Sequence, residues 1–418
     1  MAMRDILDRQ ADTIEYVLHT HGLQAQVDGG KLSPRLAHFR LTLPPGVRPA
    51  QVAPTVPEIA DTLGVTACRL STSEEGMYLE VPRPDPVPVR LLPIAQRVAD
   101  VVPPTTATLG LDVEGTPLLL RLDSPDVDPV LIAGDRRAGK SSLLRGMALS
   151  LALHNSPERL RLLLLDCTGD GVAFRNLEGL PHLACPVAYG PVEALVSLRW
   201  ALRAMSRRAH TRPSDDDELT FGDEDEGMSP APQGEEAALV IMIDGADALC
   251  MSNNRRAASE GVEALRTLLS NGSRLGIYIV VATERPEVMI EVSEDWRSHI
   301  SGAVSSVEAA RIATGLKGSG ANALLGMGDF MVSLNSELIR FQAGAVSEGE
   351  VAKAVALIQE CAQIQPESRS QAQPQYDEVA APTFTTRRRP VLDRPTFDQT
   401  IPAASSQPVP LRRSWVGD

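Results

Sequence analysis

No apolar run in the chain approaches the ~20 residues that span a bilayer, and its first residues lack the apolar core of a secretory signal. Those absences point to a cytoplasmic protein without a membrane partner. The five cysteines, Cys68, Cys167, Cys185, Cys250 and Cys361, show no C-x-x-C spacing. That excludes the common zinc and dithiol motifs, and apolar neighbours suit reduced core thiols. Basic residues are missing from one long stretch. Segment 213–237 holds Asp215, Asp216, Asp217, Glu218, Asp223, Glu224, Asp225, Glu226, Glu235 and Glu236 and no Lys or Arg. It supplies ten of the fourteen net negative charges, so the rest of the chain is nearly balanced. Such a block reads either as a solvated, disordered insert, placed at 213–236, or as a decoy that competes with a polyanion. At 418 residues the chain has the length for two or more domains.

What the chain does have is Gly134-Asp135-Arg136-Arg137-Ala138-Gly139-Lys140-Ser141, which fits G-x-x-x-x-G-K-[ST] at every required position. The run Val130-Leu131-Ile132-Ala133 before it reads as a buried strand, and 142–153 after it, opening at Ser142, reads as a helix start. A strand, a glycine-bearing loop and a helix N-terminus together make a phosphate cradle. Backbone N–H groups and the positive end of the helix dipole face the anion, Lys140 reaches the terminal phosphates and Ser141 ligates Mg2+. The expected cofactors are ATP and Mg2+.

The chain divides into four regions. Residues 1–95 read as a small α+β domain: helical spacing over 6–18 and 52–63, and strands at 37–43, 67–70 and 77–81. A proline-rich connector follows within 82–88, and 96–127 form a linker and hairpin. Over 128–358, strands alternate with helices, which predicts a mostly parallel sheet covered on both faces. The strands fall at 117–122, 130–133, 160–166, 237–244, 276–283 and 302–304. Residues 359–418, rich in Pro, Gln and Ser, read as a disordered tail.

Two strand ends carry chemistry. Seven apolar residues run into Asp244, a carboxylate that either caps its strand or holds the Mg2+ shell beside the phosphate loop. Hydrolysis also needs a group that positions water, often an acid next to the metal-binding one. Here Gly245 follows, and the nearest acid is Asp247. The run 277–282 ends in Thr283, Glu284 and Arg285, polar caps or sensors of the terminal phosphate.

Several segments in this order resemble the FtsK/SpoIIIE family of DNA translocases. They include Leu43-Pro44-Pro45-Gly46-Val47, Leu109-Gly110-Leu111-Asp112-Val113-Glu114-Gly115-Thr116-Pro117, the phosphate loop, Gly179-Leu180-Pro181-His182-Leu183, Ala282-Thr283-Glu284-Arg285-Pro286, Leu324-Leu325-Gly326-Met327-Gly328-Asp329-Phe330 and Val346-Ser347-Glu348-Gly349-Glu350-Val351. The resemblance covers about residues 5–358. It implies a RecA-like P-loop ATPase motor that assembles as a hexameric ring around double-stranded DNA, contacts its phosphate backbone, and serves chromosome partition. Candidate phosphate contacts are Arg255, Arg256 and Arg266, which read equally well as a solvated helix face.

The chain departs from that pattern in ways that bear on catalysis. The family carries Asp-Glu where Asp244-Gly245 stands, and glutamine where Glu284 stands. Two arginines of the family's next strand are missing around His299, although Arg297 is near and Arg311 fits a later one. The catalytic set is therefore Lys140, Asp244 and Glu284, with Glu284 standing in for the missing acid. The resemblance also lacks a membrane anchor and a terminal winged-helix domain. In their place the tail carries Arg387-Arg388-Arg389 and Leu411-Arg412-Arg413-Ser414-Trp415, either a linker or a docking motif for a protein partner. Three functions remain open: an ATP-driven DNA translocase, a nucleotide-binding but hydrolytically weak regulatory or structural subunit, and a secretion-coupling ATPase that moves polypeptide.

Overall fold

The computed structural model describes residues 3–73, 76–211, 237–368 and 414–416. The small N-terminal unit comprises helix α1 (Met3–Thr20), strands β1 (Gln26–Leu32) and β2 (Leu36–Thr42), short helices α2 (Pro49–Val52) and α3 (Val56–Leu63), and strands β3 (Arg69–Ser73) and β4 (Gly76–Pro82). One stripe of α1 (Leu7, Ala11, Ile14, Val17 and Leu18) is buried with Phe39, Leu79 and Ile59, so the helices close one face of the sheet. α3 stops where Gly64 adopts the left-handed conformation.

The larger unit begins with α4 (Leu91–Val98), which straddles the expected boundary at 95; Leu91, at its start, belongs to the core of the large unit. The hairpin β5 (Thr106–Asp112) and β6 (Pro117–Arg121) leads to β7 (Val130–Ala133), α5 (Lys140–His154), β8 (Leu160–Asp166), β9 (Ala188–Tyr189) and α6 (Gly190–Thr211). Then come β10 (Ala238–Asp244), α7 (Ala246–Cys250), α8 (Arg255–Asn271), β11 (Ile277–Thr283), α9 (Pro286–Val292), β12 (Ser298–Ser301) and α10 (Val307–Thr314). The hairpin β13 (Asp329–Leu334) and β14 (Glu337–Ala343) precedes α11 (Glu348–Ser368). These strands form one ten-stranded sheet in the order β6-β5-β14-β13-β12-β7-β11-β10-β8-β9. It is parallel from β12 to β9 and antiparallel from β12 to β6.

The apolar strands are continuous because both faces are covered. Ile132, Leu162, Leu164, Met242 and Val280 pack with Leu143, Leu144 and Met147 of α5 and with Val351 and Val355 of α11. The alternate residues Leu131, Leu163, Ile241, Ile243 and Ile279 pack under Leu198 of α6, Leu265 and Leu268 of α8 and Met289 of α9. β7 lies between β11 and β12, both later in sequence. Its carboxyl end is thus the crevice where open α/β sheets bind ligands.

Three expectations need correction. The strand expected at 302–304 lies at Ser298–Ser301, since it is pairing with Val130–Ala133 that sets its register. The tail expected from 359 begins later, because α11 runs on to Ser368. Within that tail, β15 (Ser414–Val416) pairs in parallel with β1, Gly29 opposite Ser414 and Gly30 opposite Trp415. The acidic insert at 213–236 and the arginines at 387–389 and 412–413 lie outside the described residues.

The two units meet across buried charge. Arg340 of β14 donates to Asp329 from Nε and Nη2, at 2.9 and 2.7 Å, and pairs with Glu80 of β4. All three side chains are under 10% exposed. Burial pushes the pKa of the neighbouring His38 down to about 4 against the opposing pull of Glu80, so the ring is neutral near pH 7. Arg69 donates to Ser319 O, and Arg35 to Gly326 O and Met327 O. Replacing Arg340 with Met leaves two buried carboxylates without their cation. That costs about 3–5 kcal/mol and is expected to appear as a marked drop in melting temperature, with Glu80→Gln milder.

Candidate active site

The loop between β7 and α5 is fixed by the backbone before any ligand is considered. Asp135 N donates to Ala303 O at 2.8 Å and Gly328 N to Ala138 O at 2.9 Å, so the loop is pinned from two sides. A β-carbon on Gly139, which sits at φ 109°, would come 2.9 Å from Gly328 N. Only glycine allows that approach. Gly134 and Ala138 are buried, Asp135 is half-buried, and Arg136, Arg137 and Ser142 are exposed around the rim. α5 starts at Lys140, so its unpaired N–H groups open into this loop.

Lys140 folds back over the loop. Its Nζ donates to Gly134 O at 2.9 Å and Asp135 O at 3.0 Å and lies 3.6 Å from Glu284 Oε1. Burial pushes its pKa down, while Glu284, Asp244 and Asp247 pull it up. Asp244, 4% exposed, ends β10 beside β8 and faces the Ser141 hydroxyl, which favours its charged form. Burial raises its pKa to about 6 in spite of Ser141. A serine hydroxyl and a carboxylate on one spot are hard oxygen donors of the kind Mg2+ takes, and the glycine-lined cradle beside them fits a phosphate chain. Ser141 and Asp244 are therefore the residues that fit a metal, with Lys140 next to them. Among the described residues no cluster of three or more His, Cys, Asp or Glu suits a metal.

Asp166, level with Asp244 on β8, is fully engaged. Oδ1 accepts from Thr168 N, Thr168 Oγ1 and Gly169 N, and Oδ2 from Gly171 N. Gly245 begins α7 at φ 65°, and a β-carbon there would lie 2.3 Å from Thr168 Cγ2. The absence of an acid at 245 has a local structural cause that the sequence does not display. The position is left-handed and its side-chain space is filled. Asp247, in the first turn of α7, accepts from Thr283 Oγ1 at 2.7 Å and from Glu284 N at 3.3 Å. Arg285 turns away, its Nη1 3.3 Å from Met251 Sδ.

The arginines singled out for DNA separate. Arg266 donates to Val292 O and Glu291 O and so braces α9. Arg256 pairs with Glu260 at 2.6 Å, while Arg255 is exposed. Arg311 is held by Glu308, and Arg297 is exposed.

Residues 95–288 match the model of the FtsK/SpoIIIE family, and residues 2–83 match that of the FtsK alpha domain. The chain belongs to the FtsK/SpoIIIE family. It is 28% identical to the DNA translocase FtsK of Mycobacterium tuberculosis over 414 residues, covering 94% of this chain and 46% of that one. To the Caulobacter vibrioides DNA translocase FtsK it is 27% identical, covering 90% and 48%. The chain thus spans less than half the length of these curated relatives. Among solved structures, the cytoplasmic domain of the Thermomonospora curvata type VII secretion ATPase EccC superposes with TM-score 0.50 at 25% identity, over 65% of this chain and 32% of that one. The pCW3 conjugation coupling protein TcpA superposes with TM-score 0.53 at 14% identity, over 84% and 99%, which shows the fold alone. No helix among the described residues of this FtsK/SpoIIIE member is long and apolar enough to cross a membrane. Gly245→Ala is expected to lower stability by about 1–2 kcal/mol, the cost of a left-handed non-glycine residue, read as a lower melting temperature.

Proposed function

We propose that the chain binds ATP with Mg2+ at residues 134–142 and uses its hydrolysis to drive double-stranded DNA through an oligomeric, hexameric ring. The observation that carries this reading is the convergence of Lys140, Ser141 and Asp244 on one preformed loop, in a chain similar over nine-tenths of its length to proteins named DNA translocases. The backbone amides of the loop and the start of α5 bind the phosphates. Lys140 neutralises their charge, and Ser141 and Asp244 hold Mg2+. Held there, Mg2+ would supply positive charge to offset the charge that develops on the phosphates. Glu284 shares the Lys140 ammonium with the incoming phosphates, so it sets how readily the lysine is released to them. DNA contacts go to the phosphate backbone, with Arg255, exposed and without a partner among the described residues, as a candidate.

One observation favours a second reading, a subunit that holds ATP but scarcely hydrolyses it. The position after Asp244 carries no acid and has no room for one. A secretion-coupling role draws only on the resemblance to EccC and predicts no response to DNA.

The test is steady-state ATP hydrolysis with and without long duplex DNA, beside Lys140→Ala. Turnover is expected to rise several-fold with DNA, to fall as salt is raised, and to vanish in the variant. ATP binding without DNA-stimulated turnover is the result expected of the second reading.

A further inference from the structure

The missing acid at 245 leaves a chemical gap, and among the described residues Asp247 is placed to fill it. Five carboxylates stand at or just past the carboxyl edge of β8, β10 and β11, and one of them, Asp170, is exposed and accepts from Val172 N at 2.8 Å within its own loop. Both oxygens of Asp166 are taken by donors of the 168–171 loop. Asp244 is buried and faces Ser141, where it is placed to hold the metal. Glu284 leans on Lys140 at 3.6 Å. Asp247 differs from all of these. Its Oδ1 is held by Thr283 Oγ1 and Glu284 N, which fixes the carboxylate plane, while Oδ2 has no protein donor among the described residues. Thr283 is itself fixed, since its Oγ1 accepts from Arg285 N at 2.9 Å. Asp247 is half-buried, and its charge is felt at Lys140.

We propose that Asp247 is the positioning residue for hydrolysis, its Oδ2 accepting a hydrogen bond from the attacking water. This deepens the ATPase reading above and rests on it. In that reaction the water oxygen bonds to the terminal phosphorus and the bond to the bridging oxygen breaks. Its electron pair leaves on the diphosphate, and the water's protons pass to phosphate and solvent. Asp247 keeps none of them. Its task is to hold the water's direction, which an adjacent glutamate would otherwise do. The displacement by two residues follows from Gly245. The left-handed turn there, closed by Thr168, starts α7 and carries the next acid to Thr283 at the end of the neighbouring strand.

The test is Asp247→Asn, which can keep the acceptor facing Thr283 and Glu284 N but turns the free oxygen into an N–H donor. Turnover with DNA is expected to fall by roughly 10²-fold or more, the usual worth of such a group. Affinity for a fluorescent ATP analogue and the melting temperature stay close to the parent. If Asp247→Asn turns over like the parent, the proposal fails and the ATPase reading stands. If the variant loses ATP binding, the residue is structural and the proposal fails. If the parent binds ATP but does not hydrolyse it with DNA, both the proposal and the hydrolytic reading fall.

Discussion

The phosphate loop takes its shape from one close approach, where the 326–329 turn lies against Ala138 and Gly139 with no space for a side chain between them. The same turn is gripped from behind by the small unit. Arg35 donates to two of its carbonyls, and Asp329 at its end is bound to Arg340, which pairs with Glu80. A buried ion network resists displacement because moving one member exposes the desolvation cost of the others. Two units that fold on separate cores are therefore joined through a turn that also forms one wall of the phosphate site.

Much of this was legible in the sequence where the signal is local. The loop at 134–141, its flanking strand and helix, and the apolar run into Asp244 are short-range patterns, and a two-sided sheet makes its strands continuous apolar runs. β1 was not legible as a strand. Its core, Asp28-Gly29-Gly30-Lys31, carries little apolar alternation, and it is held by pairing with β2. The register of β12 follows from β7, some 170 residues earlier in the chain, which no window on the sequence contains.

The site was half legible. Glu284 does stand beside Lys140, but Asp247 draws its meaning from Thr283, 36 residues away, and from a glycine conformation that sequence does not display. The charged seam Arg340–Glu80 joins residues 260 positions apart. Composition alone, with its net charge of −14, gives no hint of a polyanionic partner. That idea enters through the family relation and through the acidic block that concentrates most of the charge in one segment.

The central question is whether ATP use at this loop moves DNA. The direct measurement is displacement of a triplex-forming strand from a linear duplex by the purified chain. The expected result is displacement that requires ATP and Mg2+ and is absent in Lys140→Ala. A chain that hydrolyses ATP in the presence of duplex DNA and leaves the third strand in place would contradict it.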